Sequence, residues 1–538
     1  MTGMKRVLAL VAGLTMAVSC ARTPVPPGET LRYRMPEDPT ALDPFRAGDD
    51  NSLVYINQVF DGLVEYVPGT LDVRPAVAES WTVSRDSLTY TFKLRRGVRF
   101  HNGREVVAED VVYSVRRALS KSSLSEKHAF LAMLSGAGDF ASDKSTELPG
   151  VAATGPDTVV FTLAYPYDSF LTVLAGEAGS ILPKEVYEDP AKGYLTHPVG
   201  CGPYRFESWE PRVSIVLTRA ADYWKRPAAD PSTAAIDRIE FRFIYDSNTA
   251  LEEYRTGGVD FTQEIPPGQR EKALRELPDD LHSATRFSIL YVGFNHHSRP
   301  FKDRLLRRAL LHAIDMDFIV KVLSEGKDRV AAGMIPPGMM GHDPHRAAPA
   351  YDPNLASRLI AEAGFPGGKG LPPIVYRTNE TTAFAQITDR ILADLSRIGL
   401  KVVHKTSDFG AFLSSLMSLK TEPTAFALYR MTWFADWPDP DGYLPAQFAT
   451  GAVANFGLYH NESLDRIFEE ARRERDTERR AAMYRDADTI LMDDAAFIPI
   501  YWYGQDVLLK PRFTGLKLGP LGVFGIAWDE VRVKGVKG

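Results

Sequence analysis

Cysteine is nearly absent from this chain. Only Cys20 and Cys201 occur among 538 residues, so there is neither a disulfide framework nor a cysteine metal site. An excess of charge is also missing, because 63 basic residues are set against 69 acidic ones and the formal net charge is −6. No basic stripe exceeds a few residues, and we therefore expect no nucleic acid among the partners of this protein.

Long apolar runs are absent apart from one near the start, at residues 7–18. That run is too short to span a bilayer comfortably, since a span needs about 20 apolar residues. It follows Lys5 and Arg6 and ends in small residues, a pattern typical of a secretory signal. The letters AVSC at 17–20 also resemble a bacterial lipobox. We therefore predict a lipoprotein signal peptide at 1–20, lipidation of Cys20 and a flexible tether at 21–30. A plain signal peptide is the alternative.

Catalytic signatures are missing as well. The sequence has no Gly-x-Ser-x-Gly, His-Glu-x-x-His or P-loop pattern. The histidine pairs at 296–297 and 342–345 come without a further ligand at suggestive spacing, so no metal and no other cofactor is expected. A carboxylate pair such as Asp436 and Asp439 keeps a hydrolase as a remote alternative. We expect that the protein is not an enzyme.

Strand-like and helix-like periodicities mix along the whole chain, which predicts an α/β fold. Alternating apolar residues predict strands near 31–35, 88–94, 239–245, 287–293, 373–378, 400–405, 425–433 and 498–509. Apolar residues at helical spacing predict helices near 51–66, 107–119, 247–256, 304–324, 353–363, 382–398, 409–419, 463–475 and 478–492.

The segment LYRMTWFADWPDPDGYL, residues 428–444, carries the most information about a site. It offers a cation, Arg430, a carboxylate, Asp436, and two tryptophans, Trp433 and Trp437, that could form apolar walls. Fully extended, the two charges would lie about 20 Å apart, whereas a tripeptide spans about 10 Å. A bent segment would suit a ligand with a positive end, a negative end and an apolar middle, such as a free peptide. From these residues alone, a buried strand end followed by an acidic turn is an equal alternative.

Five motifs together point to a family. They are PAVAESW with TYTFKLRRGVRFHNG and VVAEDVVYS (75–114), HPVGCGPY (197–204), YVGFNHHSRPFKDRLLRRALLHAIDMD (291–317), YDP with AEAGFP (351–366) and WFADWPDP (433–440). In order and spacing they resemble the oligopeptide- and dipeptide-binding proteins of bacterial ABC importers, the family 5 extracellular solute-binding proteins. The resemblance runs from about Leu31 to Tyr503.

The resemblance implies a two-lobed, class II periplasmic-binding-protein-like fold with an extra subdomain and a ligand cleft between the lobes. Lobe I would comprise 31–66, 195–286 and 504–538, its subdomain 67–194, and lobe II 287–503. It also implies an extracytoplasmic monomer that captures short peptides and delivers them to ABC permease subunits. The lipid anchor would hold it in the periplasm, or on the outer face of a Gram-positive membrane. A metal chelate, an oligosaccharide or an opine stays open as the ligand.

The resemblance also assigns site residues. Asp436 would accept the peptide α-ammonium, Arg430 would pair with the α-carboxylate, and the backbone of 431–435 would bind the peptide main chain. Water-filled side-chain pockets would then tolerate many peptide sequences. The other residues expected at the ligand are Trp433, Phe434, Trp437, Asp50, Tyr501 and Tyr503.

Overall fold

The computed structural model describes residues 30–125, 127–225, 232–379, 384–422, 425–435 and 437–535. The predictions for the signal peptide, Cys20 and Asp436 lie outside these residues, as does the tether except for Thr30. In chain order the strands are β1 (Thr30–Met35), β2 (Val64–Tyr66), β3 (Val73–Pro75), β4 (Ala78–Val83), β5 (Thr89–Leu94), β6 (Val151–Gly155), β7 (Thr158–Thr162), β8 (Tyr204–Glu210), β9 (Ser214–Arg219), β10 (Thr233–Ala235), β11 (Arg238–Phe243), β12 (Phe261–Thr262), β13 (Leu281–Phe294), β14 (Arg329–Val330), β15 (Ile374–Asn379), β16 (Val402–Ser407), β17 (Leu428–Phe434), β18 (Phe497–Leu509), β19 (Phe513–Thr514) and β20 (Arg532–Lys534).

The α-helices alternate with these strands. They are α1 (Asp50–Val59), α2 (Ala108–Leu119), α3 (Ala137–Ala141), α4 (Phe170–Ala175), α5 (Lys184–Tyr187), α6 (Ser247–Thr256), α7 (Arg270–Glu276), α8 (Arg304–Ala313), α9 (Met316–Phe318), α10 (Pro353–Glu362), α11 (Ala385–Arg397), α12 (Phe409–Ser418), α13 (Leu444–Phe448), α14 (Glu462–Arg473) and α15 (Thr477–Asp493). Within the described ranges, no helix has both the length and the hydropathy that crossing a bilayer requires.

Two long antiparallel strands, β13 and β18, connect the two lobes. Leu281–Thr285 pair with Gly504–Leu508 on the lobe I side, and Ile289–Gly293 pair with Phe497–Trp502 on the lobe II side. The register shifts between these two paired stretches, from Thr285 to Ile289. The sheet therefore continues through both lobes, in the order β16-β15-β17-β13-β18-β12-β1-β11-β9-β8.

Each lobe has its own hydrophobic core. One large cluster joins lobe I to the subdomain, whose sheet has the strand order β4-β5-β7-β6. In lobe II the sheet separates two clusters, and consecutive residues of β13 belong to different ones. Leu290 and Val292 pack on one face of the sheet, whereas Ile289 and Tyr291 pack on the other. This is the period of two that the sequence predicted for strands.

Most predicted elements are confirmed with small shifts of their ends, and three differ more. The predicted strand 287–293 is the second half of β13, which begins at Leu281. The predicted helix 304–324 is interrupted rather than continuous. Its first part, α8, ends at Ala313, because Ile314 is extended (φ −96°, ψ 126°), and the Asp315 side chain accepts from the Phe318 amide to cap a second helical segment of α9 and a π-helix at Ile319–Leu323. The predicted helix 51–66 ends at Val59. The chain is extended at Phe60, which allows Val64–Tyr66 to pair with β3.

Gly200 and Gly202 are needed for a close approach rather than for a left-handed turn. A Cβ on Gly200 would lie 2.1 Å from the Val59 carbonyl oxygen, and one on Gly202 would lie 2.7 Å from the Val59 carbonyl carbon. Neither glycine has a positive φ. The contact fixes the carboxyl end of α1, and the first residue of α1, Asp50, lies in the cleft between the lobes.

We predict that Gly200→Ala lowers the free energy of unfolding by about 2 kcal/mol, because a methyl group there meets backbone that cannot move aside. The measurement is urea denaturation followed by tryptophan fluorescence. Gly138→Ala is the matched control: a Cβ on this helical glycine meets nothing within 4 Å, so its stability should be equal or slightly higher. Equal stability of Gly200→Ala and wild type would contradict the packing argument.

Candidate functional site

A cavity of about 460 Å³ lies between the lobes. This volume is in the range of small-molecule sites. Lobe I and its subdomain contribute one wall, lobe II contributes the other, and the strands that join the lobes form the base. The lining residues are Gly48, Asp50, Leu53, Lys127, Phe130, Glu177, Arg286, Phe287, Phe409, Leu413, Met431, Thr432, Trp433, Phe434, Ala435, Phe456, Pro520, Leu521 and Phe524.

One edge of β17 is open beside this cavity. β17 pairs with β13 over its whole length, from Leu428 to Phe434. On its other edge it pairs with β15 only at Leu428 and Tyr429. Consecutive residues, 431–435, line the cavity, so the cavity reaches the strand from its edge. Among the described residues this stretch has no second strand partner, and its backbone is able to bind an extended ligand main chain.

The charged side chains of the cavity wall are already paired. Arg286 donates to Asp50 across 2.7 Å, and its guanidinium lies 5.0 Å from the centre of the Phe434 ring. Lys127 donates to Glu177 across 2.9 Å, with side chains only 5% and 11% exposed. Two cations and two anions therefore balance each other. Asp50, predicted as a site residue, lines the cavity as one half of an ion pair.

Arg430 is the exception to this balance of charge. It is 3% exposed and does not line the cavity. It donates to Thr388 Oγ1 at 2.9 Å and to Asn379 Oδ1 at 2.7 Å, and its guanidinium stacks on Phe384 at 4.4 Å. Within the described residues it forms no ion pair, and burial lowers its pKa. The described partners of this buried cation are therefore neutral acceptors, which satisfy its N–H groups without compensating its charge.

The predicted aromatic residues take two positions. Trp433 and Phe434 line the cavity. Trp437 does not, but its ring packs edge-on against Phe130 of the cavity wall, with centroids 5.3 Å apart. Neither indole Nε1, of Trp433 or of Trp437, has a hydrogen-bond partner in the described part of the chain, although both are buried. Buried indole N–H groups usually have a partner, so the Nε1 of Trp433, which lines the cavity, is available to a ligand or to water.

Tyr501 and Tyr503 lie behind the wall rather than in it. The Tyr503 hydroxyl is 2.9 Å from Thr432 Oγ1, and Thr432 lines the cavity. The rings of Tyr501 and Tyr503 are 5.0 Å apart, and burial raises the pKa of Tyr503 to about 12. Both tyrosines also interact electrostatically with Arg430. The structure thus brings Arg430, Thr432 and the two tyrosines together on one face of β17.

The turn after Trp437 is held by two buried carboxylates. Asp439 accepts from Arg480 Nη1 and Nη2, both at 2.7 Å. Asp441 accepts from Arg472 at 3.1 Å and from the hydroxyl of Tyr167, a subdomain residue, also at 3.1 Å. These aspartates are structural residues of the turn, and Asp441 ties the subdomain to lobe II.

One histidine of each pair considered for a metal, His296 and His342, is a packing residue. His296 Nε2 donates to the Ala496 carbonyl at 2.9 Å, and burial lowers its pKa to about 3. His342 Nδ1 donates to the Ile335 carbonyl at 2.8 Å, and its ring packs on Trp502. Among the described residues there is no group of three or more His, Cys, Asp or Glu side chains that could hold a metal ion.

Sequence reasoning missed several wall residues that come from distant segments. Arg286 carried the clearest signal, since it is a cation at the predicted boundary between the lobes. Phe409 was predicted only as part of the helix 409–419, and its ring is 59% exposed. The other wall residues that sequence reasoning missed were Leu53, Lys127, Phe130, Glu177, Phe287, Leu413, Phe456, Pro520, Leu521 and Phe524.

Comparisons with known proteins agree with this architecture. A family model described as bacterial extracellular solute-binding proteins, family 5 Middle, matches residues 72–455. The chain therefore belongs to the family 5 bacterial extracellular solute-binding proteins.

Individual relatives match over almost their whole length. The chain is 26% identical to the glutathione-binding protein GsiB of Salmonella choleraesuis (strain SC-B67), over 97% of this chain and 98% of the relative. It is also 26% identical to the dipeptide-binding protein DppE of Bacillus subtilis (strain 168), over 94% of this chain and 92% of the relative. A solved structure, the periplasmic binding protein DppA of Helicobacter pylori in complex with the peptide STSA, superposes with a TM-score of 0.78 at 26% identity, covering 94% of this chain and 98% of the other.

We predict that Glu177→Gln lowers the free energy of unfolding by about 3 kcal/mol, since it leaves the Lys127 ammonium buried without a counter-charge. Urea denaturation measures this. The double variant Lys127→Met, Glu177→Gln is the control, because it removes both charges and should recover most of the loss. If the Lys127→Met change instead lowers the stability of Glu177→Gln by as much as it would lower that of the wild type, the two groups do not form a coupled pair.

Proposed function

We propose that this protein captures short peptides between its two lobes and delivers them to the permease subunits of an ABC importer. The observation that carries the proposal is the open edge of β17 along the cavity, since a peptide main chain is the ligand that a free strand edge binds best. The relatives named for dipeptide and glutathione binding, and the relative solved with the peptide STSA, support it.

The charged ends of the peptide would be bound by the two residues that the family pattern assigns. Asp436 would accept the α-ammonium just beyond the strand edge. Arg430 would pair with the α-carboxylate, and the lack of a carboxylate partner for its guanidinium in the part of the chain that the structure describes supports this role. In this proposal the α-carboxylate would take the place of neutral groups, since Thr388 and Asn379 bind the guanidinium now. Peptides of roughly two to four residues would fit, at about 3.3 Å each.

The remaining parts of the proposal concern the whole molecule. Closure of the lobes around the ligand would be a hinge motion centred on the β13–β18 register shift, with no chemical step. The lobe boundaries would be those expected from the sequence: 31–66, 195–286 and 504–538 for lobe I, 67–194 for the subdomain and 287–503 for lobe II. The protein would act as a monomer, anchored through lipid on Cys20, outside the cytoplasmic membrane.

Native mass spectrometry of the purified protein, followed by denaturation and identification of the released ligand, tests the ligand class. We expect one bound short peptide, or a mixture of them, per chain. A metal chelate, an oligosaccharide or an opine released in its place would contradict the peptide proposal while leaving the fold assignment intact. Turnover of added peptides would contradict the proposal that no reaction occurs.

The two end-binding roles predict opposite responses to blocked peptides. Asp436→Ala should weaken a free peptide at least about 30-fold, because a buried charge pair is lost, and should change the N-acetylated peptide little. Arg430→Met should weaken the free peptide and change the C-amidated form little. Titration calorimetry measures both, and each variant serves as the control for the other. Equal losses for free and blocked peptides would remove the corresponding role.

A further inference from the structure

The cavity has two chemically different sides. One side is apolar and consists of Phe409, Leu413, Met431, Trp433 and Phe456, which we call the apolar pocket. Met431 and Phe456 belong to one core cluster of lobe II, and Leu413 and Trp433 pack against it. No charged side chain takes part.

The opposite side of the cavity carries the charged side chains, with aromatic rings beside them. Thr432 and Phe434 point to the other face of β17, toward the Tyr503 hydroxyl and the Arg286 guanidinium. The ion pair between Arg286 and Asp50 lies on this side of the cavity. The strand edge that would hold the ligand backbone therefore divides an apolar side from a charged side.

Phe409 is placed for contact with a ligand rather than for packing. Asp408 caps α12 by accepting from the Ala411 amide, so Phe409 is the first residue of the helix. Phe412 and Leu416, on the inner stripe of α12, are 1% and 0% exposed, whereas Phe409 is 59% exposed in the cavity wall. A ligand that covers both the exposed Phe409 ring and the neighbouring Leu413 side chain removes their apolar surface from water, which favours binding.

An extended ligand on the β17 edge alternates its side chains between the two sides, because strand side chains have a period of two. A residue that points to the Trp433 face meets the apolar pocket, and its neighbours point to the charged side. Building on the proposed function, we propose that the bound peptide carries a bulky apolar side chain at the position facing Phe409 and Leu413, and that this pocket sets sequence preference. The broad tolerance expected from the sequence then holds only at the neighbouring positions.

The test is a set of tripeptides based on Ala-Ala-Ala, in which each position in turn is Leu, Phe, Asp or Lys. Binding is measured by titration calorimetry and by quenching of tryptophan fluorescence. For the wild type we expect Leu or Phe to bind at least about tenfold more tightly than Asp or Lys at one position only. An unpaired charge there would lose its hydration without a compensating partner.

Phe409→Ala and Leu413→Gln should each reduce this preference at least about threefold while leaving the response to substitutions at the other positions unchanged. Met417→Ala is the matched control: it removes a partly exposed side chain of the same helix that does not line the cavity. A preference that survives both pocket variants overturns the inference. If the tripeptides bind with no apolar preference at any position, this inference alone is overturned. If no peptide binds, the proposed function is overturned together with the inference.

Discussion

The pairing of β13 with β18 is the contact on which the rest of this structure depends. These two strands are the part of the sheet that both lobes share, and their register shifts between Thr285 and Ile289, at the level of the cleft. Arg286 lies within that shift and binds Asp50 of lobe I. The register shift interrupts the regular backbone pairing of β13 with β18 at this point, so the connection between the strands is weaker there. The ion pair at the same point connects the base of the cleft to lobe I.

Among the described residues of the cleft region, two buried or partly buried cations have carboxylate partners and a third, Arg430, does not. The cations of the wall, Arg286 and Lys127, have carboxylate partners that are partly or largely buried with them. Among the described residues, the partners of Arg430 are hydroxyl and amide groups. Neutral acceptors satisfy the N–H groups of a guanidinium but do not compensate its charge, so an anionic group beside this face of β17 would be favourable.

The sequence predicted local structure well wherever a single segment decides it. The strand around Arg430, its two faces and the helix Ser247–Thr256 with its left-handed Gly257 all follow from neighbouring residues. Asp315 was misread because a polar residue in an apolar pattern can either face solvent or cap a new helix, and spacing does not distinguish the two. The family pattern supplied the two lobes, which periodicity alone could not.

The cavity wall was the part that could not be predicted in detail. Lys127, Arg286 and Phe409 come from three distant segments, and only the folded chain brings them to one place. The partners of Arg430 have the same origin, because Asn379 ends β15 and Thr388 lies in α11. The sequence therefore singled out a strand that lies along the cavity, but it gave no information on how Arg430 would be buried.

The open edge of β17 has a consequence for solubility. Unpaired strand edges are where folded chains add to one another and aggregate, and proteins usually protect them with charge, proline or a bulge. Here the protection is steric, because the exposed stretch lies inside a cleft about 460 Å³ in volume. A short flexible segment can enter such a space, whereas the edge of another folded sheet is too wide. The recess thus keeps the sheet edge of a second folded copy from pairing with this stretch of β17.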